Sequence, residues 1–329
     1  MNEKAFLSIN NLTVEYTSNK KVIHAVNGVS LHLNHGETLG LVGETGAGKT
    51  TIAKSILRIL PNPPARIKGG EIFLGGEDLM KKAEKEMLDI RGNKIAMIFQ
   101  DPMTALNPLL TVGEQIAEVI SIHEKNLTKD QAEKKAMEML EMVGITAERY
   151  IEFPFQFSGG MKQRVVIAMA LACNPQILLA DEPTTALDVT IQAQVLQMIK
   201  KLQEKNGTAM LLITHDLGVV AETCENVAVI YAGEIIESGT REDLFDHPTH
   251  PYTCGLFDSL PKLTVETKRL SPISGMTPDP SDLPKGCKFH PRCKYATETC
   301  TAGEVPNVEV TPGHFCQCWK CVGYEQEGK

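Results

Sequence analysis

Gly43-Glu44-Thr45-Gly46-Ala47-Gly48-Lys49-Thr50 decides the reading of this chain. The eight residues fit G-x-x-x-x-G-K-[ST], a loop whose backbone N–H groups close around phosphate oxygens. The flanks agree with that reading. Glu37 to Val42 is a short, mainly apolar run that predicts a buried strand. Ile52, Ile56, Leu57 and Leu60 then share one helical face until Pro61 ends it. A helix starting directly after the glycines adds partial positive charge where an anion would sit. Gly43, Glu44, Thr45, Gly46, Ala47, Gly48, Lys49, Thr50 and Thr51 are therefore the expected phosphate-binding residues. Lys49 is expected at the β- and γ-phosphates, and the Thr50 hydroxyl on Mg²⁺.

Upstream, apolar and polar residues alternate from residue 6 to 36, which predicts an antiparallel sheet carrying Tyr16 at a strand end. Downstream, Ile95 to Phe99 predicts a strand that delivers Gln100, at the sheet end where open α/β sheets bind ligands. From Asp101 to about Cys173 the pattern is helical. Thr128 and Gln131 form a capping box, and Gly144 closes that helix. Ser158 is a good N-cap, yet Gly159 and Gly160 follow it, and each costs about 1 kcal/mol inside a helix. Free N–H groups at a helix start suit a second anion. Ile177 to Ala180 is an apolar strand followed by Asp181-Glu182, a carboxylate pair suited to hold Mg²⁺ and to polarise water. A further apolar strand, Ala209 to Ile213, delivers His215. Val227 to Ile236 reads as a hairpin turning at Ala232-Gly233.

The chain has 329 residues, 42% hydrophobic and 22% charged, with a net charge of −8. The acidic balance argues against a nucleic-acid partner. No uncharged apolar run approaches the roughly 18 residues of a membrane span. Ten of the 18 prolines lie between Pro248 and Pro312, where regular patterning weakens. A boundary near 245 is expected, with an ATP-binding part over 1–245, its helical portion at about 101–173, and a small irregular tail over 246–329.

Together these stretches resemble the ATP-binding subunit of ABC transporters. The resemblance rests on GETGAGKT at 43–50, Gln100, FSGGMKQR at 157–164, ILLADEP at 177–183, TALD at 185–188 and His215. It implies an α/β fold: an antiparallel β subdomain, a RecA-like parallel core and a helical signature subdomain. By the same likeness Tyr16 stacks on adenine, Asp181 lies near Mg²⁺ and Glu182 is the general base. Gln100 contacts Mg²⁺ and the attacking water, and His215 faces the γ-phosphate. Ser158, Gly159 and Gly160 contact the ATP of a partner ATPase, identical or homologous, in a head-to-tail pair.

A narrower likeness, to the peptide importer ATPases and their nickel-importing relatives, rests on FQDPMTALNP at 99–108, HPTHPYT at 247–253 and CKFHPRC at 287–293. It implies two membrane permease subunits as partners, met by residues around 100–108, an extracytoplasmic solute-binding protein, and a place on the cytoplasmic face of the cell membrane. Many relatives carry glutamate where this chain has Gln156. A nickel importer, an exporter or a soluble ABC-type ATPase are the rival readings.

Six of the nine cysteines lie from Cys287 onward. Such clustering in a cytosolic chain points to metal. The resemblance selects Cys287, Cys293, Cys300 and Cys318, leaving Cys316 and Cys321 as extras. Four thiolates can hold Zn²⁺ or a [4Fe–4S] cluster. The wide spacing of the first three favours iron–sulfur, whereas Cys318-x-x-Cys321 offers a short zinc pair.

Overall fold

The computed structural model describes residues 5–18, 21–184, 189–259 and 273–322. Its strands are β1 (Leu7–Ser18), β2 (Lys21–Leu33), β3 (Thr38–Val42), β4 (Ala65–Leu74), β5 (Glu77–Asp78) and β6 (Ile95–Ile98). There follow β7 (Ile177–Asp181), β8 (Ala209–Ile213), β9 (Asn226–Tyr231), β10 (Glu234–Thr240), β11 (Asn307–Thr311) and β12 (His314–Gln317). The chain forms two compact units.

One unit holds Leu7–His32, Leu39–Leu74 and the described residues from His215 onward. Leu7, Ile9, Leu12 and Val14 are buried along β1, as the alternating pattern predicts. β1 runs antiparallel to β4, with Leu7 opposite Leu74 and Ile9 opposite Ile72. In a second layer β3 runs parallel to β9, Leu41 opposite Ala228. Every residue of β3 is buried, which explains its unbroken apolar run. β9 and β10 form the predicted antiparallel hairpin.

The tail is less irregular than its sequence predicts. β12 pairs with β10, Glu237 opposite Cys316, and β11 pairs with β12, so a hairpin prolongs the sheet. Its pattern is faint for a physical reason. The partly buried Val308 and Val310 pack against Cys316, Cys318 and Cys321, so thiols take the place of an aliphatic core. The polar Asn307, Glu309 and Thr311 face outward.

The other unit holds Leu33–Thr38 and Gly75–Thr214. β6, β7 and β8 are parallel and wholly buried, with Ala96 opposite Leu178 and Leu178 opposite Met210. The helices Val112–His123, Lys129–Met142 and Gly159–Leu171 follow from local signals. Thr111 and Thr128 cap the first two, each in a reciprocal capping box. Val143 is the last helical cap of the second, and Gly144 beyond it takes φ +74°. Ala132, Ala136, Met139 and Leu140 form its buried stripe, as the periodicity predicts.

Candidate functional site

The predicted phosphate loop links β3 to the helix Lys49–Ile56. Two of its glycines are dictated by space. A Cβ on Gly48, which sits at φ +107°, would lie 2.4 Å from the Ala25 carbonyl oxygen. A Cβ on Gly43 would lie 2.2 Å from that of Ile230. Lys49 is buried, and its Nζ donates to the carbonyls of Gly43 at 2.7 Å and Glu44 at 3.0 Å. Ala47 O accepts from Gly233 N at 3.0 Å, so the tip of the β9–β10 hairpin steadies the loop. Tyr16 is half-buried in β1, and its hydroxyl lies 3.2 Å from Thr51 Oγ1. The aromatic singled out in the sequence therefore meets the first turn of the phosphate-loop helix.

In the other unit β7 ends in the buried Asp181. Glu182 follows at φ +47°, a left-handed conformation that costs an L residue roughly 1–2 kcal/mol. Its N–H donates to Ile213 O at 2.8 Å, which ties the turn to β8. Gln100 Nε2 donates to Glu182 Oε2 at 2.8 Å. Two residues 82 positions apart in the chain are thus brought into contact. Ser158 caps the helix Gly159–Leu171 by accepting from Met161 N at 3.4 Å, and Ser158 and Gly159 are exposed. From the same helix the buried Gln163 donates to Pro183 O at 2.6 Å, one residue past Glu182. That link between signature and carboxylate was not foreseen, because a glutamine inside a helix carries no sequence signal. His215 is exposed beyond β8, and Asp216 caps the helix Leu217–Thr223. Thr185, Ala186, Leu187 and Asp188 lie outside the described residues.

Four of the six tail cysteines, Cys287, Cys293, Cys300 and Cys318, line a cavity of about 370 Å³ together with Phe289 and His250. These are the four cysteines selected by resemblance. Cys316 and Cys321 are not on its wall. They are fully buried together, their sulfurs 3.0 Å apart, and both also meet the Cys318 thiol, so Cys318 belongs to this buried trio as well as to the cavity wall. Burial pushes the Cys287 thiol up to about 11. Among the described residues no three His, Cys, Asp or Glu side chains converge on a single metal ion. A lone Zn²⁺ needs sulfurs at about 2.3 Å from the metal, hence close to one another.

Two buried donors bear on what the cavity suits. His250 Nδ1 accepts from Tyr252 N at 3.0 Å, which puts the ring proton on Nε2. His250 Nε2 and Trp319 Nε1 are buried without a hydrogen-bond partner, and both residues line the cavity. Burial also keeps His250 neutral by lowering its pKa. Two orphaned N–H donors among four thiols fit a multi-atom anionic group that accepts hydrogen bonds at sulfur.

Comparison with known proteins gives the family. The ABC transporter family model matches residues 26–185, and the model of the oligopeptide/dipeptide transporter C-terminal region matches 236–300. The oligopeptide transport ATP-binding protein OppD of Bacillus subtilis (strain 168) is 49% identical over 316 residues, covering 95% of this chain and 88% of OppD. AppD of the same organism is 47% identical over 324 residues, covering 98% of each chain. The chain belongs to the ATP-binding subunits of oligopeptide and dipeptide ABC transporters. Among solved structures, the ATP-binding cassette MJ0796, a dimer bound to ADP and Pi, superposes with TM-score 0.65 at 30% identity. That match covers 71% of this chain and 98% of the cassette.

An ABC ATP-binding subunit uses ATP and Mg²⁺, and the two units carry the residues expected for them. The phosphate loop, Lys49, Thr50, Thr51 and Tyr16 lie in one, and Gln100, Asp181, Glu182 and the Ser158 signature in the other. Among the described residues no helix is long and apolar enough to cross a membrane. What sequence reasoning missed is the set of polar links around HPTHPYT and CKFHPRC. Those stretches served only as marks of resemblance, because their partners lie far off in the chain.

Proposed function

We propose that the chain is the ATP-hydrolysing subunit that energises a membrane importer of dipeptides or oligopeptides. The observation that carries this reading is near-half identity to peptide-transport ATP-binding proteins across almost the whole chain, tail included. Lys49 and the loop N–H groups bind the phosphates, Thr50, Asp181 and Gln100 hold Mg²⁺, and Tyr16 stacks on adenine. Glu182 takes the proton of the attacking water, Gln100 orients that water, and His215 contacts the γ-phosphate. Positioning and charge stabilisation supply the rate. The Gln100–Glu182 hydrogen bond supports a shared role for the pair.

The exposed Ser158-Gly159 helix start supports a second ATPase subunit, identical or homologous, paired head to tail so that each signature meets the other's nucleotide. A permease pair is supported by an apolar surface in the helical part. Leu109 is 82% exposed, Ile151 73% and Phe155 75%. The buried Gln115 pins the loop carrying Leu109 through Asn107 and Leu110, and Val112 N donates to Glu152 O at 2.9 Å, which brings the two stretches side by side. Such a subunit sits peripherally on the cytoplasmic face of the membrane, and an extracytoplasmic solute-binding protein delivers the peptide. We retain the functional division at 245/246, with the β, RecA-like and helical parts before it. In the tail, Cys287, Cys293, Cys300 and Cys318 hold a [4Fe–4S] cluster. That reading is supported by their common cavity and by the donors His250 and Trp319. The cluster supplies cross-linking of a segment with few apolar side chains.

The test is Glu182→Gln. Loss of a general base costs about 10²–10⁴-fold in rate. The variant should bind MgATP normally, release phosphate at least 100-fold more slowly, and accumulate the closed pair. Turnover within threefold of the unaltered chain would remove Glu182 as the base.

A further inference from the structure

A 3₁₀ turn, His290–Arg292, lies between two cysteines of the cavity, Cys287 and Cys293. Its last residue reaches the phosphate loop. Arg292 Nη1 donates to Glu44 Oε2 at 2.8 Å, and Nη2 to Glu44 Oε1 at 3.0 Å. Nη1 also donates to the Tyr231 hydroxyl at 3.2 Å, Nε to Ser274 O at 3.0 Å, and Nη2 to Ile273 O at 3.4 Å. A guanidinium has five N–H donors in a rigid fork, and here each has an acceptor. The Arg292 side chain is only 5% exposed. Nothing in the hydrolytic chemistry uses this arrangement.

Glu44 is the second residue of the phosphate loop, and its backbone is held too. Its N–H donates to the Tyr252 hydroxyl at 3.0 Å. Carboxylate and amide of one loop residue are therefore both anchored by residues of the tail. The carbonyl of that same residue receives Lys49 Nζ. Tyr231, Tyr252 and Phe289 fill the space behind, with ring centroids 4.7–5.4 Å apart. Phe289 in turn lines the cysteine cavity. A continuous set of packed rings and hydrogen bonds joins the cavity wall to the loop.

A loop with three glycines among eight residues loses much conformational entropy when it closes around phosphate. Fixing Glu44 in advance removes part of that cost from the binding step. We propose that Arg292 and Tyr252 are positioning residues of the phosphate loop, through which the cysteine-bearing tail sets the affinity for nucleotide. The proposal rests on the ATPase reading above.

The test compares the full chain with Arg292→Met, Arg292→Lys, Tyr252→Phe and Glu44→Gln. MgATP and MgADP binding are measured by calorimetry, beside circular dichroism and the iron, sulfide and zinc content. Arg292→Met should keep its fold and its metal yet bind both nucleotides at least tenfold more weakly. Tyr252→Phe should lose about threefold or more. Arg292→Lys should recover part of the loss, since it restores the charge without the fork. Arg292→Met combined with Glu44→Gln should be no worse than the weaker single variant, because both remove one interaction. KM for ATP should rise while kcat at saturation changes less than threefold. Wild-type affinity in folded Arg292→Met overturns the brace, and so does a loss that merely tracks lost structure or metal. Absence of MgATP binding by the unaltered chain would refute the ATPase reading and the brace with it.

Discussion

Replacing Glu237 by alanine should be among the most damaging single changes outside the nucleotide residues. Glu237 lies in β10 with a side chain 0% exposed. Oε1 accepts from Thr249 N at 2.7 Å and from His314 Nε2 at 2.8 Å, and Oε2 accepts from His250 N at 2.9 Å. Three elements thus converge on one carboxylate: the sheet, the HPTHPYT segment and the strand β12. Alanine would leave two backbone N–H groups and one imidazole N–H buried without an acceptor, each worth about 1–3 kcal/mol. Water entering the vacated space offsets part of that sum. The net cost is about 3–5 kcal/mol, the range found when one partner of a buried pair is removed. At about 2–4 °C per kcal/mol the melting temperature should fall by roughly 6–20 °C. Glu237→Gln should cost about half as much, since its amide oxygen still accepts from two donors while its NH₂ opposes the third. The assay is thermal melting by circular dichroism at two salt concentrations. A buried interaction is screened little, so the difference should persist at high salt. A Glu237→Ala melting point within about 2 °C of the unaltered chain would refute the argument, as would a difference that vanishes with salt.

Phe155→Asp, at a residue 75% exposed, should leave MgATP hydrolysis by the isolated chain within twofold but abolish co-purification with the permease subunits. Unchanged co-purification would move the docking surface elsewhere. Purified without oxygen, the chain should hold about four irons and four sulfides, and Cys287→Ser should lose most of both. Stoichiometric zinc in the unaltered chain, with no iron, would replace the cluster by a single-ion site.

The glycine loop and its flanking elements were legible because their constraints are local. Strand, glycine loop and helix start occupy consecutive residues, and the close approaches of Gly43 to Ile230 and Gly48 to Ala25 explain why no other residue type serves there. The apolar strands ending in Asp181 and before His215 were legible for the same reason: fully buried strands read as unbroken runs. The positive φ of Glu182 has no sequence signal, because glutamate is not a residue that advertises a left-handed turn. The β11–β12 hairpin escaped because its inner face meets sulfur and its outer face is polar. The four cysteines were legible as a set only through resemblance. Spacing alone admitted Cys321; Cys318 meets both Cys316 and Cys321, and what sets those two apart is that they do not line the cavity.

The least legible contacts connect the tail to the rest of its unit, and their energetics explain why they matter. From residue 273 to 322 the buried apolar side chains are few: Phe289, Val305 and the three thiols Cys316, Cys318 and Cys321. At roughly 1.5–3 kcal/mol for each large side chain buried, such a set falls short of the ordering cost of some fifty residues. The segment therefore needs cross-links. A cluster held by the four cysteines, as proposed, would close the segment on itself, Glu237 ties it to the sheet through His314, and Glu44 ties it to the phosphate loop through Arg292. The third tie differs in kind, because its far end must rearrange around a ligand. Binding free energy and tail order are then linked by reciprocity: whatever orders the tail favours nucleotide, and nucleotide favours the ordered tail. Saturating MgATP should accordingly slow loss of iron from the cluster in the unaltered chain and have no such effect in Arg292→Met. A cluster serving only as a local staple would be lost at the same rate in both.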